Sequence, residues 1–269
     1  MLRVFPIYYR GAKAPEYRSD CFEPVMAGDD PHWAELTAHE RILREWLPSH
    51  PNEHYLGFCH YRRFPDFWRG RPSKYLPHVG FDRFARDFAE RYAEARILPI
   101  IDGYDVIVPC PSRWSKDVTS NYQQYFLGGH PPKDIDKLIA IIRRDYPQMI
   151  SDLDEYLNGR KAYLWLQFIM RADWFREFLT WEFDILRKLE RECDWAGPEY
   201  QTYSTIRAPA FLAERFFNVF ILHKLRTCGG KLLERQCVFL VPDAETRLVA
   251  TVGRYADFAV NTLKGVFHR

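Results

Sequence analysis

The segment His54-Tyr55-Leu56-Gly57-Phe58-Cys59-His60-Tyr61-Arg62-Arg63 ends a short apolar run in an imidazole, a phenol and two guanidiniums. Adjacent arginines can grip an anion, because each planar fork binds phosphate oxygens two at a time. The plain alternative is a pair of solvated charges leaving a strand. Glu214-Arg215 is a second polar site, set in a stretch apolar almost all round from Phe216 to Leu222 and therefore expected to be buried. A buried carboxylate beside a buried guanidinium needs a partner, or its pKa moves. It either stabilises the entrance of a helix or serves as a proton acceptor. Glu182 falls inside the apolar stripe of Phe175, Phe178, Leu179, Ile185, Leu186 and Leu189, where a leucine is expected. That carboxylate marks either a site or a stripe edge that reaches water.

Acidic pairs with metal-ligand spacing occur at Asp134-x-Asp136 and Asp152-x-Asp154. Both open predicted helices, where capping and the helix dipole already explain them. Asp102 and Asp105 bracket a turn into a strand. No ligand set is convincing, so dependence on manganese or magnesium stays open, as does the identity of any cofactor. The six cysteines form no C-x-x-C pair and no zinc spacing.

The elements that must position these groups follow from apolar periodicity. Val4 to Tyr8 reads as a strand, His32 to Leu47 as an amphipathic helix ended by Pro48 and Pro51, and Tyr55 to Cys59 as a second strand. This β-α-β opening is long enough for parallel pairing. In open α/β sheets, ligands bind at the carboxyl ends of such strands, which is where Arg62 and Arg63 fall. A basic, aromatic loop is expected over Phe64 to Gly80, with local basic charge from Arg62 to Lys74. A helix follows at Phe81 to Ala95 and a strand at Tyr104 to Pro109. Asp134 to Tyr146 reads as a helix and Tyr163 to Met170 as a strand. Helices are expected at Ala172 to Glu192 and Pro209 to Leu225, a strand at Gln236 to Val241 and a terminal helix at Tyr255 to Val266. No repeat or linker divides the chain, so one domain over 1–269 is expected, with a core to about 225 and an elaboration over 226–269.

The formal net charge of +2 over 269 residues argues against general nucleic-acid binding. Aromatic content of 16% leans toward carbohydrate, because aromatic rings build sugar-stacking surfaces as well as cores. No apolar run approaches the roughly 18 to 20 residues that span a bilayer. No signal peptide opens the chain, and the thiols suit a reducing compartment. Cytoplasmic placement is expected, with peripheral docking at the inner face of the membrane as the route to a lipid-linked partner.

The His60-Tyr61-Arg62-Arg63 run resembles the "GfcHYRRyF" segment of a bacterial family of domains of unknown function. That family occurs in capsular and exopolysaccharide synthesis proteins, some of them galactofuranosyltransferases. Ala34-Glu35-Leu36-Thr37-Ala38 resembles its "cELTA" helix. Phe168-Ile169-Met170 and Trp181 to Glu190 resemble "NMFIM" and "WLFdIL.eLE", and Arg207 to Val219 resembles "R..GFlaERLlNvw". Order and spacing agree from the first strand to about Leu225. The sequence departs from that pattern at Leu166-Gln167, where relatives have Asn-Met, and at Glu182, where they have an apolar residue. It departs again at Tyr8-Tyr9-Arg10, where relatives carry a His-Lys pair.

The resemblance implies an α/β, single-domain fold of the A-type glycosyltransferase kind, with a mostly parallel sheet and added C-terminal helices. It implies a hexosyltransferase moving galactofuranose or another hexose from a UDP-sugar donor to a saccharide or lipid-linked saccharide, in building capsular polysaccharide, exopolysaccharide or lipopolysaccharide. Donor binding is then assigned to His60, Arg62, Arg63, Glu35, Asp29 and Tyr8, and catalysis to Glu214 and Glu182. Two alternatives stand beside this reading: a non-catalytic assembly or regulatory module of a polysaccharide locus, and a sugar-phosphate-handling enzyme. His130 matches a loop histidine of the family only loosely and is expected to be a surface residue.

Overall fold

The computed structural model of the chain describes residues 1–12, 15–67 and 78–243. A parallel ladder opens it: β1 (Leu2–Tyr8) lies between the short β2 (Val25–Met26) and β3 (Tyr55–His60). The crossover into β3 carries α1 (Leu36–Arg41), which runs on through a π-helical turn at Ile42–Trp46 and a 3-10 turn at Leu47–Ser49. The helix expected from residue 32 thus starts later, after Ala34 has taken a left-handed φ of 45°. Beyond β3 come β4 (Arg63–Pro65), β5 (His78–Gly80), α2 (Phe81–Arg86), α3 (Phe88–Arg91) and α4 (Glu94–Ile101). The helix expected over 81–95 is therefore two short pieces, and α4 keeps Pro99 inside it.

The second half contributes β6 (Val106–Pro109), β7 (Ser112–Arg113), α5 (Asn121–Leu127), α6 (Pro132–Asp145), α7 (Ile150–Asn158), β8 (Lys161–Ala162) and β9 (Phe168–Arg171). Then come α8 (Ala172–Glu192), α9 (Tyr203–Ile206), α10 (Ala208–Cys228), β10 (Leu232–Arg235) and β11 (Cys237–Val241). The strand expected over 163–170 is split. Lys161–Ala162 pairs with β7, whereas Trp165 and Leu166 take left-handed φ values of 74° and 47° before β9 begins. The helix expected over 255–266 lies outside the described residues.

Among the described residues, nine strands form the main sheet. β9 runs antiparallel to both β3 and β6, and β4 runs antiparallel to β3 and β11. The remaining pairs are parallel, so the sheet is largely parallel, as expected. Period-two alternation sorts its side chains into two layers. Phe5, Ile7, Leu56, Phe58, Val106, Val108, Phe168 and Met170 lie on the face covered by α1, α8 and α10. Val4, Tyr8, Cys59, Ile107, Ile169 and Val238 face α2, α3 and α4. Gly57 is fixed by close approach: a Cβ there would sit 2.3 Å from the Phe168 carbonyl oxygen. Among the described residues no helix is long and apolar enough to cross a membrane.

Candidate functional site

Where β1 and β3 end, a cavity of about 400 Å³ opens on the layer shared with α1 and α10. The chain reverses after His60, and Arg63 pairs back to it, so Tyr61 and Arg62 form the tip of the turn. The Arg62 amide donates to His60 Nδ1 at 3.2 Å, which leaves Nε2 as the ring's N–H. Burial, helped by Arg63, Arg62 and Arg207, holds the His60 pKa well below its usual value. The imidazole at the cavity wall is therefore neutral at physiological pH.

The two arginines differ in setting. Arg62 is exposed and lies 5.2 Å from the Tyr61 ring centroid. Arg63 is half-buried, held over Trp165 at 5.0 Å and Phe239 at 5.4 Å. Among the described residues neither is ion-paired, whereas Arg207 and Arg215 pair with Glu35 and Glu214. Among the described residues the cavity thus presents two cations outside any ion pair, with Glu214 acting on Arg63 through space.

The opposite wall comes from α10 and the turn before β9. Glu214 Oε1 accepts the Trp165 N–H at 2.9 Å, and Oε2 accepts from Arg215 at 3.1 Å. Arg215 in turn donates to Gln124. Burial raises the Glu214 pKa above the usual carboxylate range, with Arg215 opposing. The left-handed excursion at Trp165 and Leu166 accompanies that bond, at a backbone cost of about 1–2 kcal/mol per residue. Glu35 Oε2 accepts from the Tyr9 hydroxyl at 2.8 Å and from Arg207, whose guanidinium also meets the Tyr203 hydroxyl. His130, expected at the surface, is buried with its Nδ1 2.7 Å from the Ser204 carbonyl, and burial pushes its pKa down to about 4. Neutral and packed 4.2 Å from Phe211, it anchors the α9 end of the wall.

The cavity brings together His60, Arg62, Arg63, Glu35 and Glu214. Three other residues singled out in the sequence lie elsewhere. Tyr8 alternates onto the opposite face of β1, where its hydroxyl donates to the Pro15 carbonyl and accepts the Tyr17 N–H; Tyr9 lines the cavity instead. Asp29 is exposed and ion-paired with Arg10 at 2.7 Å. Glu182 is fully buried behind the cavity, 2.9 Å from His39 Nδ1, because its position continues the buried stripe of α8. The acidic pairs are committed too: Asp134 accepts from Tyr200, Asp152 from His223 and Arg226, and Asp154 from Arg143.

Sequence reading missed Tyr9, His39, Trp165 and Arg207 as cavity residues. Two of them left a signal. Arg207 heads the Arg207 to Val219 segment, and His39 follows Glu35 by four residues, the spacing that puts two side chains on one helix face. Trp165 left none, since its role comes from a left-handed backbone that no periodicity announces. Chemically the cavity can hold an anion on its guanidiniums, stack a polyhydroxylated ring on aromatic walls and accept a proton at Glu214.

A search of curated proteins finds no match for this chain. Among solved structures, it is similar to the WbbM bifunctional glycosyltransferase in its apo form, with a TM-score of 0.77 and 21% identity. The likeness covers 89% of this chain and 45% of that one, so this chain spans less than half of the protein it matches. At that identity the likeness is one of fold, and it agrees with the A-type glycosyltransferase architecture. The family model described as a domain of unknown function (DUF4422) matches residues 20–225, a span that holds the His60 to Arg63 turn, Glu35 and Glu214. The chain belongs to the DUF4422 family.

Proposed function

We propose that the protein is a glycosyltransferase that moves a hexose, galactofuranose or a related sugar, from a UDP donor to a saccharide or lipid-linked saccharide acceptor. One observation carries the reading: Arg62 and Arg63, without an ion-pair partner among the described residues, share a cavity with the buried carboxylate of Glu214. Glycosyl transfer needs a counter-charge for the departing diphosphate and an acceptor for the proton of the attacking hydroxyl. The arginines supply the first, with the Nε2–H of neutral His60 as a further donor. Glu214 supplies the second, and its raised pKa brings it nearer the operating pH of a base. Glu35, held by Arg207 and Tyr9, shapes the donor side of the wall. The fold shared with part of a glycosyltransferase adds support.

The test is calorimetric titration of UDP into the wild type and the Arg62→Ala/Arg63→Ala double variant. Binding to the wild type and its loss in a folded double variant are expected. Equal affinity in both would overturn the diphosphate role.

A further inference from the structure

Behind the cavity lies a pair of titratable groups that the reading above does not use. His39, on α1, is fully buried, lines the cavity and stacks face to face on Phe58 with ring centroids 3.9 Å apart. Its Nδ1 is 2.9 Å from Glu182 Oε2, across from α8. Two polar atoms of the pair, His39 Nε2 and Glu182 Oε1, are buried without a partner. Each such atom carries a desolvation penalty that apolar packing would avoid. A hydrophobic residue at 182 would continue the α8 stripe of Phe175, Phe178, Leu186 and Leu189, all buried. The pair therefore costs stability where a leucine would not, and packing alone gives no reason for it.

Glu182 does more than fill space. Its hydrogen bond at Nδ1 and the Phe58 ring beneath the imidazole fix the ring plane, so Nε2 diverges from Glu182 along a set direction. A carboxylate that positions one ring nitrogen leaves the other free to act on a ligand. We propose that His39 Nε2 is a ligand-binding atom at the cavity floor that hydrogen-bonds a hydroxyl of the transferred sugar, with Glu182 as its positioning residue. A hydroxyl both donates and accepts, so it satisfies Nε2 whether or not that nitrogen carries a proton. A diphosphate would not need this arrangement, because Arg62 and Arg63 already face the cavity outside any ion pair among the described residues. The histidine therefore reads the sugar half of the donor, and this rests on the glycosyl-transfer reading.

The decisive measurement is the imidazole ¹⁵N spectrum of the intact wild-type protein, with the His39 resonances assigned through the His39→Gln variant. UDP and UDP-hexoses, UDP-galactofuranose included, are added in turn. The His39 Nε2 resonance is expected to move with a UDP-hexose and to hold still with UDP alone. By calorimetry, His39→Gln should weaken the UDP-hexose by about tenfold, the worth of one hydrogen bond, and leave UDP affinity unchanged. Glu182→Gln, which keeps the shape of the pair, should give a smaller loss of the same kind. A His39 signal unmoved at saturating UDP-hexose, or equal weakening of UDP and UDP-hexose, overturns the proposal while leaving the arginine reading intact. Absence of any UDP binding to the wild type would instead remove the glycosyl-transfer reading on which it stands.

Discussion

The two ends of the central sheet offer the same kinds of side chain and use them differently. At the carboxyl ends of β1 and β3, Arg62 and Arg63 face a cavity of about 400 Å³ without an acidic partner among the described residues. At the opposite end, a more open cleft of about 680 Å³ is lined by Tyr55, Asp102, Asp105, Arg171, Asp173 and Arg176. There Arg171 lies between Asp105 at 3.1 Å and Asp173 at 2.8 Å, and Arg176 donates to the His50 carbonyl. Asp105 also accepts the Lys231 amide and so ties the entry of β10 to β6. Volume alone would favour the open cleft. Partnering reverses that ranking, since a guanidinium held by two carboxylates has little left to offer an anion, whereas an unpaired one keeps its forks free.

The largest test of this contrast lies in the arginine pair. A charge-assisted hydrogen bond contributes about 1.5–3 kcal/mol, so each single alanine variant should weaken UDP by roughly one to two orders of magnitude. Arg63→Ala should lose more than Arg62→Ala, because Trp165 and Phe239 hold Arg63 in place before ligand arrives. Arg63→Lys should recover little, since an ammonium cannot reproduce the planar fork or its stacking. Calorimetric affinities in that order would support a pre-organised anion site. Equal losses at both positions would reduce the pair to diffuse surface charge.

Glu214 gives the next effect. Glu214→Gln keeps the shape and the acceptor for the Trp165 amide but cannot take a proton, so turnover of a UDP-hexose should drop by roughly 10²–10⁴-fold. A base works deprotonated, so wild-type turnover should rise with pH through the raised pKa of Glu214, and the glutamine variant should lack that limb. Stability carries the opposite sign. The folded protein keeps a proton on Glu214 that the unfolded chain has already released, so this carboxyl's contribution declines as pH rises from the unfolded to the folded pKa. Urea midpoints of wild type and Glu214→Gln should therefore draw apart across that window. Parallel midpoints together with an unchanged pH–rate profile would remove Glu214 from the chemistry.

Much of the fold could be read from sequence where burial dictates a period. β1, β3, β6, α6, α8 and α10 follow stripes of apolar residues set by the layers they face. What escaped reading was set by tertiary neighbours. The stretch 163–167 is apolar enough for a strand, yet its backbone turns left-handed at Trp165 and Leu166 and aims an amide at Glu214. Tyr8 and Tyr9 are chemically alike, and only the pleat of β1 against β3 decides which of them meets the cavity. Glu182 stood out as a carboxylate where a leucine was expected and is buried rather than at an edge that reaches water, but its partner His39 sits 143 residues away in sequence. Spacing within one element cannot reveal such a pair.

The smallest effect is expected at the far end of the sheet, and it is the one that isolates the contrast. Arg171 is half-exposed, with side-chain exposure of 48%, and each of its two ion pairs faces water on at least one side. Exposed pairs of this kind contribute about 0–1 kcal/mol. Arg171→Ala should therefore lower the melting temperature by at most about 2–4 °C. Part of that loss should come from freeing Asp105, whose second oxygen still holds the Lys231 amide at 2.7 Å. UDP affinity should stay at the wild-type value, because the site lies at the other ends of β3 and β9. If Arg171→Ala weakened UDP as much as Arg62→Ala does, the anion would have two entrances or a delocalised field, and partnering would no longer separate a binding arginine from a structural one.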